Sequence, residues 1–377
     1  MPAKLSREKA QKSYECAPGW SAARHCASTT PIMPTPAWFD AARFGLFVHW
    51  GAYSQHGWEP SWPLVGGLSA FPHCQDLSVA DYYHDALQFA PAPGAARDWM
   101  RLARRCGMTY TVLTTKHHDG FALFPSPHAA FGVAHGACGR DLVEEFVDAA
   151  RAEGLRVGLY FSLPDWHHAD YPAFEDTMRP YPMLGYPRPE PARWKRFLGD
   201  LQGQLTHLLT AYGRIDVLWF DGGWERTPDE WCAADLEALI RRLQPHIVIN
   251  DRLPGMGDYD TPEQALPRTP PARAWETCMT MGHSWGNADA GRDHKSARYL
   301  LTVLAEVAGA GGNLLLNVSP DGRGVLPAWQ RERLEAIADW MARHGDAIAG
   351  CARGLEPWQF YGPTSRKRER VFLFCPQ

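Results

Sequence analysis

Several features that define whole classes of protein are missing from this sequence of 377 residues. No window of 18 apolar residues is free of charges and glycines, so we expect no helix that spans a membrane. Lys and Arg total 38 against 42 Asp and Glu, which leaves no basic excess for neutralising the phosphates of a nucleic acid. Residues 1–20 contain no apolar core of the kind found in signal peptides.

Cysteine is present, but without the spacing of a metal site or a disulfide scaffold. The nine cysteines are scattered singly, and no two have the C-x-x-C spacing. An odd, dispersed set in a chain of this length is typical of reduced thiols. Together with the missing signal peptide, this pattern predicts a cytoplasmic protein.

The composition divides the chain into three parts. Residues 1–32 are polar and aperiodic, and we interpret them as a disordered extension, with Met33 as a hypothetical true start. Residues 33–350 are predicted to form one large domain. Residues 351–377 are predicted to form a short β segment with strands at 357–361 and 370–375, as the remnant of an accessory β-domain.

Apolar runs alternate with amphipathic runs along the large domain. The continuously apolar runs are typical of strands covered on both faces, and the amphipathic runs between them are typical of helices. The predicted strands are 44–50, 110–118, 156–162, 216–221, 246–250, 275–280 and 313–318. The predicted helices are about 95–106, 141–153, 192–212, 229–243, 294–309 and 327–347, with Asp229 opening the fourth. This alternation predicts an α/β protein with a parallel sheet.

The sheet is either an open doubly wound sheet or a closed (β/α)8 barrel. An open sheet that binds a dinucleotide would carry G-x-G-x-x-G after its first strand, and no predicted strand is followed by that motif. Instead, polar and aromatic residues follow nearly every strand. In a barrel these strand ends meet on one face, where active sites are built, so we favour an irregular TIM-like (β/α)8 barrel.

Two carboxylates are candidates for the chemistry. Asp221 ends a buried strand and precedes two glycines, although a loop or helix-capping role is the ordinary alternative. Glu263 lies in a loop after the fifth strand and gains meaning only as a partner for Asp221. Two carboxylates across one bond are the minimum for hydrolysing a glycoside, with one as nucleophile and the other as acid and base.

Histidines and an arginine also follow strands. Adjacent residues on a strand point to opposite faces, so His117 and His118 are not expected to share a metal ion, and His49 completes no ligand motif. We therefore predict neutral imidazoles that bind hydroxyl groups, held by Lys116 and Asp119, and no metal. Arg252 is predicted either to orient a carboxylate or sugar hydroxyl, or to form a simple ion pair.

The sequence contains 16 tryptophans, which is an unusual number. Flat rings with a polar edge suit the apolar faces of pyranose sugars. Core packing is the alternative, and we expect it for Trp50 and Trp219. The aromatic residues near strand ends are Trp50, Trp58, Trp62, Tyr160, Trp166, Trp219, Trp224, Trp275 and Trp285. Beside histidines and carboxylates, they indicate a sugar substrate.

The chain resembles the α-L-fucosidases of glycoside hydrolase family 29. The matching segments occur in the family's order over about residues 38–324, and KHHDGF together with WFDG is the most specific pair. The segments are WF (38–39), RFGLFVHWGAYS (43–54), YTVLTTKHHDGFALFPS (110–126), GRDLVEEF (139–146), GLYFSLPDW (158–166), IDVLWFDGG (215–223), INDR (249–252), WET (275–277), SWG (284–286) and LLLNVSPDGRG (314–324).

The resemblance implies a retaining exo-glycosidase that removes terminal α-L-fucosyl residues from oligosaccharides or glycoconjugates without a cofactor. It makes Asp221 the nucleophile and Glu263 the acid/base. The fucose-binding positions it implies are His49, Trp62, His117, His118, Tyr160, Arg252 and Trp285. The expected partner is the fucosylated substrate, with no nucleic acid and no membrane.

The sequence departs from the family in two places. Many members carry Glu-Trp after the first strand, where this chain has Ser61 before Trp62; Glu59 is a candidate replacement for the missing glutamate. Members also usually carry a C-terminal β-sandwich, which is short here. Two alternatives stay open, namely an inactive barrel that only binds fucose and a metal-assisted hydrolase.

Overall fold

A computed structural model describes residues 34–65, 77–173, 177, 186–288, 293–356 and 358–375. Seven parallel strands form its main sheet, in the order β5-β4-β3-β2-β1-β7-β6. They are β1 (Phe44–Val48), β2 (Tyr110–Lys116), β3 (Arg156–Ser162), β4 (Val217–Asp221), β5 (Val248–Ile249), β6 (Glu276–Thr280) and β7 (Asn313–Val318). All seven coincide with predicted strands; β3 and β7 have the predicted bounds, and the other five are shorter than predicted.

The strands are buried on both faces, which explains their continuous apolar runs. Alternate side chains enter two different cores, as the period of two in a strand requires. On β4, Val217 and Trp219 belong to a small cluster with Phe47 and Tyr160, while Leu218 and Phe220 join the large cluster that includes the helices. The small cluster fills the space that the curled sheet encloses.

Eight helices accompany the sheet in the described part of the chain. They are α1 (Ala37–Asp40), α2 (Val79–Ala86), α3 (Ala96–Arg105), α4 (Leu142–Ala152), α5 (Pro191–Ala211), α6 (Ala233–Leu243), α7 (Ala297–Gly309) and α8 (Ala328–His344). The prediction that Asp229 opens the fourth predicted helix is wrong. That helix, α6, begins at Ala233 after Cys232, whose positive φ of 51° interrupts the helical path.

Residues 259–263 close the gap between the two edge strands of the sheet. Tyr259 forms a parallel bridge with Asn250 after β5, whereas Glu263 bridges Cys278 on β6. The Asp260 carbonyl also accepts a hydrogen bond from the Glu276 N–H, at 2.9 Å. This irregular segment takes the place of an eighth strand, so the predicted irregular (β/α)8 barrel is confirmed.

A small antiparallel sheet follows α8. Its strands, in the order β10-β9-β8, are β8 (Ala352–Arg353), β9 (Thr364–Lys367) and β10 (Arg370–Leu373). The predicted strand at 370–375 is confirmed in part, but the one at 357–361 is wrong, because residues 358–359 form a turn. The sequence does not predict β9, because this strand is polar and only apolar runs predict strands here.

The predicted disordered extension and Met33 lie outside the described residues. The boundaries at 33, 350 and 351 stay predictions. None of the described helices combines the length and apolar content needed to cross a membrane. The six cysteines in the described ranges are free thiols.

Candidate active site

Asp221 is the last residue of β4 and lies at the carboxyl-end face of the barrel. Its side chain is buried, with Oδ1 2.8 Å from Arg252 Nη1 and Oδ2 2.9 Å from the hydroxyl of Tyr160. Burial alone would raise the pKa of Asp221. The positive charge of Arg252, then His118 and the Tyr160 hydroxyl, outweigh burial and hold the pKa below its ordinary value. Asp221 is therefore ionised at neutral pH.

Arg252 connects the two candidate carboxylates. Its Nη1 donates to Asp221 Oδ1, and its Nη2 donates to Glu263 Oε2 at 2.7 Å. Its guanidinium lies 4.6 Å from the ring centre of Trp219, which supports it from below. Burial would lower the pKa of Arg252, but the two carboxylates raise it well above its ordinary value. The arginine is thus a permanent cation between two acids.

Glu263 reaches the site because the closing segment carries it there. The backbone bridge between Glu263 and Cys278 sets its position beside β6. Its side chain is 39% exposed, whereas that of Asp221 is 12% exposed. The two acids therefore lie in different environments, one enclosed and one facing solvent.

Tyr160 and His49 point into the same mouth from β3 and from the end of β1. The Tyr160 hydroxyl is shared between Asp221 and Ser162 Oγ, which lies 2.8 Å away. His49 Nδ1 is 2.7 Å from Asn317 Oδ1, and the amide nitrogen of Asn317 donates to the Trp285 carbonyl. This orients the amide so that His49 Nδ1 is the donor and Nε2 is left as an acceptor.

The three histidines are neutral. Burial lowers the pKa of His49 to about 4 and that of His118 to about 4. Burial also lowers the pKa of His117 well below its ordinary range, and the neighbouring His118 and His49 add to this effect. The neutral state agrees with the prediction, whereas the binding of hydroxyl groups by these imidazoles stays a prediction.

The prediction that His117 and His118 point to opposite faces is wrong. Strand β2 ends at Lys116, with a register shift between Thr114 and Lys116, so strand alternation does not apply to the two histidines. Their ring centres are 4.3 Å apart. His118 Nε2 lies 3.7 Å from Asp221 Oδ2, and its Nδ1 is buried with no hydrogen-bond partner among the described residues.

Ser61, the residue before Trp62, contacts His117. Its Oγ lies 2.5 Å from His117 Nδ1 and accepts the backbone N–H of Asp119 at 2.8 Å. Asp119 thus helps to hold the histidines, as predicted, through its backbone. Lys116 instead pairs with Asp165 at 3.2 Å, in a fully buried ion pair.

Glu59 binds the loop at residues 284–286, and its role as a replacement for the missing glutamate stays a prediction. Its carboxylate accepts hydrogen bonds from the Ser284 hydroxyl and from the backbone N–H groups of Trp285 and Gly286. It therefore holds the loop whose Trp285 ring packs 5.0 Å from the ring of His49. Sequence spacing alone did not reveal this support.

Trp62 lies on the other side of the mouth, with its ring centre 5.6 Å from that of His118. Trp50 and Trp219 are buried, as predicted. Two supporting residues were not predicted: Asn317, which sets the tautomer of His49, and Glu225, whose pKa burial raises to about 7. Glu225 directly follows WFDGGW, so its nearness to Asp221 in sequence was the available signal.

His117, His118 and Asp221 place three potential ligand atoms within 4.8 Å of one another. This set resembles a metal site, but Arg252 already donates to Asp221 Oδ1. A guanidinium at that distance repels a second cation and occupies one carboxylate oxygen. The donor set therefore fits an arginine-paired carboxylate better than a metal centre.

The sequence matches a known family over most of its length. A sequence model of the family described as alpha-L-fucosidase matches residues 11–346. The chain belongs to the α-L-fucosidase family. The predicted enzyme class, an α-L-fucosidase of glycoside hydrolase family 29, is thereby confirmed.

Individual α-L-fucosidases agree with this membership. The tissue alpha-L-fucosidase of Bos taurus is 30% identical over 372 residues, covering 89% of this chain and 74% of that protein. Alpha-L-fucosidase isoenzyme 1 from Paenibacillus thiaminolyticus is 36% identical with a TM-score of 0.79, covering 89% of this chain and 81% of that one. A family 29 enzyme from Bacteroides thetaiotaomicron is 28% identical with a TM-score of 0.78, covering 92% and 83%.

Proposed function

We propose that Asp221 and Glu263 are the nucleophile and the acid/base of a retaining α-L-fucosidase that acts on terminal fucosyl residues of oligosaccharides or glycoconjugates. The observation that carries this assignment is that both carboxylates bind one guanidinium, that of Arg252, at the mouth of the barrel. Retaining enzymes need their two carboxyl groups close together, at roughly 5–5.5 Å, and a shared guanidinium supports that spacing.

Asp221 begins the reaction. One of its oxygens attacks the anomeric carbon, so that a carbon–oxygen bond to the enzyme forms while the glycosidic bond breaks. Arg252 and Tyr160 keep the carboxylate ionised and limit its rotation, because each of them donates to a different oxygen. Each oxygen still has a lone pair for the attack.

Glu263 serves both halves of the reaction. Its proton passes to the leaving oxygen in the first step, and in the second step it removes a proton from the water that opens the fucosyl-enzyme. Arg252 holds Oε2, and Oε1 has no partner within the described residues. That free oxygen, on a solvent-facing side chain, suits contact with a leaving group and with water.

Fucose then occupies the space between the aromatic and histidine side chains. His49 Nε2 accepts a hydroxyl hydrogen, and His117 and His118 bind further hydroxyl groups. Tyr160 and Arg252 lie beside Asp221, and Trp62 and Trp285 form apolar walls. Glu59 contributes indirectly, through the loop of Trp285.

A relative supports the two-step mechanism. A structure of the Bacteroides thetaiotaomicron enzyme is described as a trapped covalent intermediate obtained with 2-fluoro-fucosyl fluoride in a glutamate-to-glutamine variant. It is 27% identical to this chain with a TM-score of 0.76, covering 92% of this chain and 83% of that one. A covalent intermediate is what attack by Asp221 would form.

The test removes each carboxylate separately. We expect Asp221→Ala to abolish turnover of an aryl α-L-fucoside and azide to restore it, giving a glycosyl azide of inverted configuration. Glu263→Ala should instead keep most of kcat/KM on substrates with good leaving groups, lose kcat because no base activates water, regain kcat with azide, and lose activity on fucosylated oligosaccharides. Asp260→Ala is the matched control, because Asp260 is in the same segment but pairs with Arg273. Full activity of Asp221→Ala would refute the assignment.

Two finer predictions accompany this proposal. The cytoplasmic location inferred from the cysteines and the N-terminus stays a prediction. The absence of a metal requirement also stays a prediction, and loss of activity with a chelator, restored by a divalent cation, would favour the metal-assisted alternative. An intact fold that binds fucose without turnover would favour the inactive barrel.

A further inference from the structure

An arginine-lined cleft lies at the opposite end of the barrel from Asp221. It has a volume of about 480 Å³, and its charged lining consists of Arg104, Arg151, Arg156, Arg214 and Asp216. The volume is within the range of sites that hold small organic molecules.

Strand direction places this cleft far from the candidate active site. Arg156 is the first residue of β3, and Asp216 directly precedes β4, whereas Asp221 is the last residue of β4. Asp216 and Asp221 are five positions apart in the sequence, which corresponds to about 16 Å along an extended strand. The cleft therefore belongs to the amino-end face of the barrel and takes no part in the hydrolysis proposed above.

The lining is strongly positive in a protein whose net charge is −4. Arg156 Nη1 and Arg214 Nε both contact Asp216 Oδ1, at 3.1 and 3.0 Å. Arg151 Nη2 donates to the carbonyls of Tyr212 and Arg214, which carry no net charge. One carboxylate thus faces four guanidinium groups.

Arg104 is the clearest unpaired charge. Its side chain is exposed and forms no hydrogen bond or ion pair with the described parts of the chain. Glu153, the residue that follows α4, contacts Arg101 at 3.7 Å rather than Arg104. All five N–H donors of Arg104 are therefore available to a ligand.

Helix dipoles account for only part of this positive charge. Arg104 and Arg151 lie in the last turns of α3 and α4, where basic residues are favoured. Each helix end supplies about half a unit of negative charge, so Asp216 and the two helix ends offset about half of the four positive charges. About two positive charges stay without a counter-charge.

We propose that this cleft binds a small organic molecule that carries two or more phosphate or sulfate groups. Arginine forks match the oxygens of such groups, and two to three anionic charges complement the excess. A single inorganic ion would fill only a small part of the volume.

The test measures binding by calorimetry on the full chain, with pyrophosphate as the phosphate probe and a disulfated disaccharide as the sulfate probe. We expect at least one probe to bind with a submillimolar Kd at 50 mM salt and to weaken severalfold at 200 mM salt. The tighter probe identifies the ester class. No binding of either probe at 10 mM would overturn the proposal.

A charge reversal locates the site. Arg104→Glu should weaken binding at least tenfold, and Arg105→Glu, its neighbour on the same helix outside the cleft, should weaken it less than threefold. Arg214→Gln gives a second variant that keeps the helix unchanged. Turnover of an aryl α-L-fucoside should be unchanged in all three, which separates this site from the catalytic one. Equal weakening by Arg104→Glu and Arg105→Glu would show diffuse attraction and refute the site.

Discussion

Replacing Arg252 with methionine tests the electrostatic core of the site. Methionine keeps much of the volume of the arginine stem over Trp219 but removes the cation that Asp221 and Glu263 share. Burial then acts on Asp221 without its main opposing charge, so the pKa of that carboxyl rises. Because the nucleophile must be ionised, the variant loses activity at a higher pH than the parent protein does.

The size of the shift follows from the burial of the pair. Removing one partner of a buried ion pair costs about 3–5 kcal/mol, and the slight exposure of Asp221 favours the lower figure. At 1.36 kcal/mol per pKa unit, about 3 kcal/mol raises the pKa of Asp221 by about 2 units. The parent pKa lies below the ordinary value of 3.8, so the acid limb should move to higher pH by a similar amount.

The measurement is kcat/KM for an aryl α-L-fucoside between pH 3.5 and 8. Arg273→Met is the matched control, because Arg273 is similarly buried and pairs with Asp260 on the same closing segment. The control should keep the acid limb of the parent. An unchanged acid limb in Arg252→Met, with folded protein confirmed by circular dichroism, would refute the view that Arg252 sets the ionisation of Asp221.

Three further predictions concern the supports of the site. Ser61→Ala leaves the Asp119 N–H and His117 Nδ1 without their partner. We therefore expect the free energy of unfolding to fall by about 1–3 kcal/mol and KM to rise. An unchanged KM would contradict the role of Ser61. Gly222→Ala combines a φ of 75° with a Cβ 2.3 Å from Pro164 Cδ, so both kcat and stability should fall. Gly154→Ala, at a φ of 70° but with open space around its Cβ, should lower stability alone. Equal effects of the two variants on kcat would exclude the steric contact. Glu225 has a pKa of about 7 in the folded protein against 4.5 ordinarily, so the folded state binds the extra proton and its stabilising contribution is lost as pH rises from 4.5 to 7. Glu225→Gln should therefore be most destabilised, relative to the parent, near pH 4 in thermal unfolding, and the deficit should shrink by up to about 3 kcal/mol at pH 8; a constant deficit would contradict the raised pKa.

The fold was predictable because its signal is local. Each of the seven strands is a short apolar run that its own residues define, and each is buried on both faces. The errors fell where a local signal is weak. The start of α6 depends on the backbone of Cys232, and β9 consists of polar residues although Thr364 and Ser365 are buried.

The site was predictable only in part. Asp221, His49 and Tyr160 follow from their place on or just after a strand, because parallel strands bring those ends to one face. The orientation of His117 and His118 did not follow, because β2 ends at Lys116, the residue before His117. The support that Glu59 gives to the Trp285 loop did not follow either, because its partners lie more than 220 residues away in the sequence.

The sequence by itself determined the barrel, the family and the acids and histidines at the strand ends, since hydrophobic periodicity and short motifs are properties of neighbouring residues. Only the tertiary structure decided that residues 259–263 close the barrel, that Arg252 joins Asp221 to Glu263, and that four arginines line one cleft with Asp216. These contacts join segments that are distant in the chain, and their geometry depends on how the strands pack and curl.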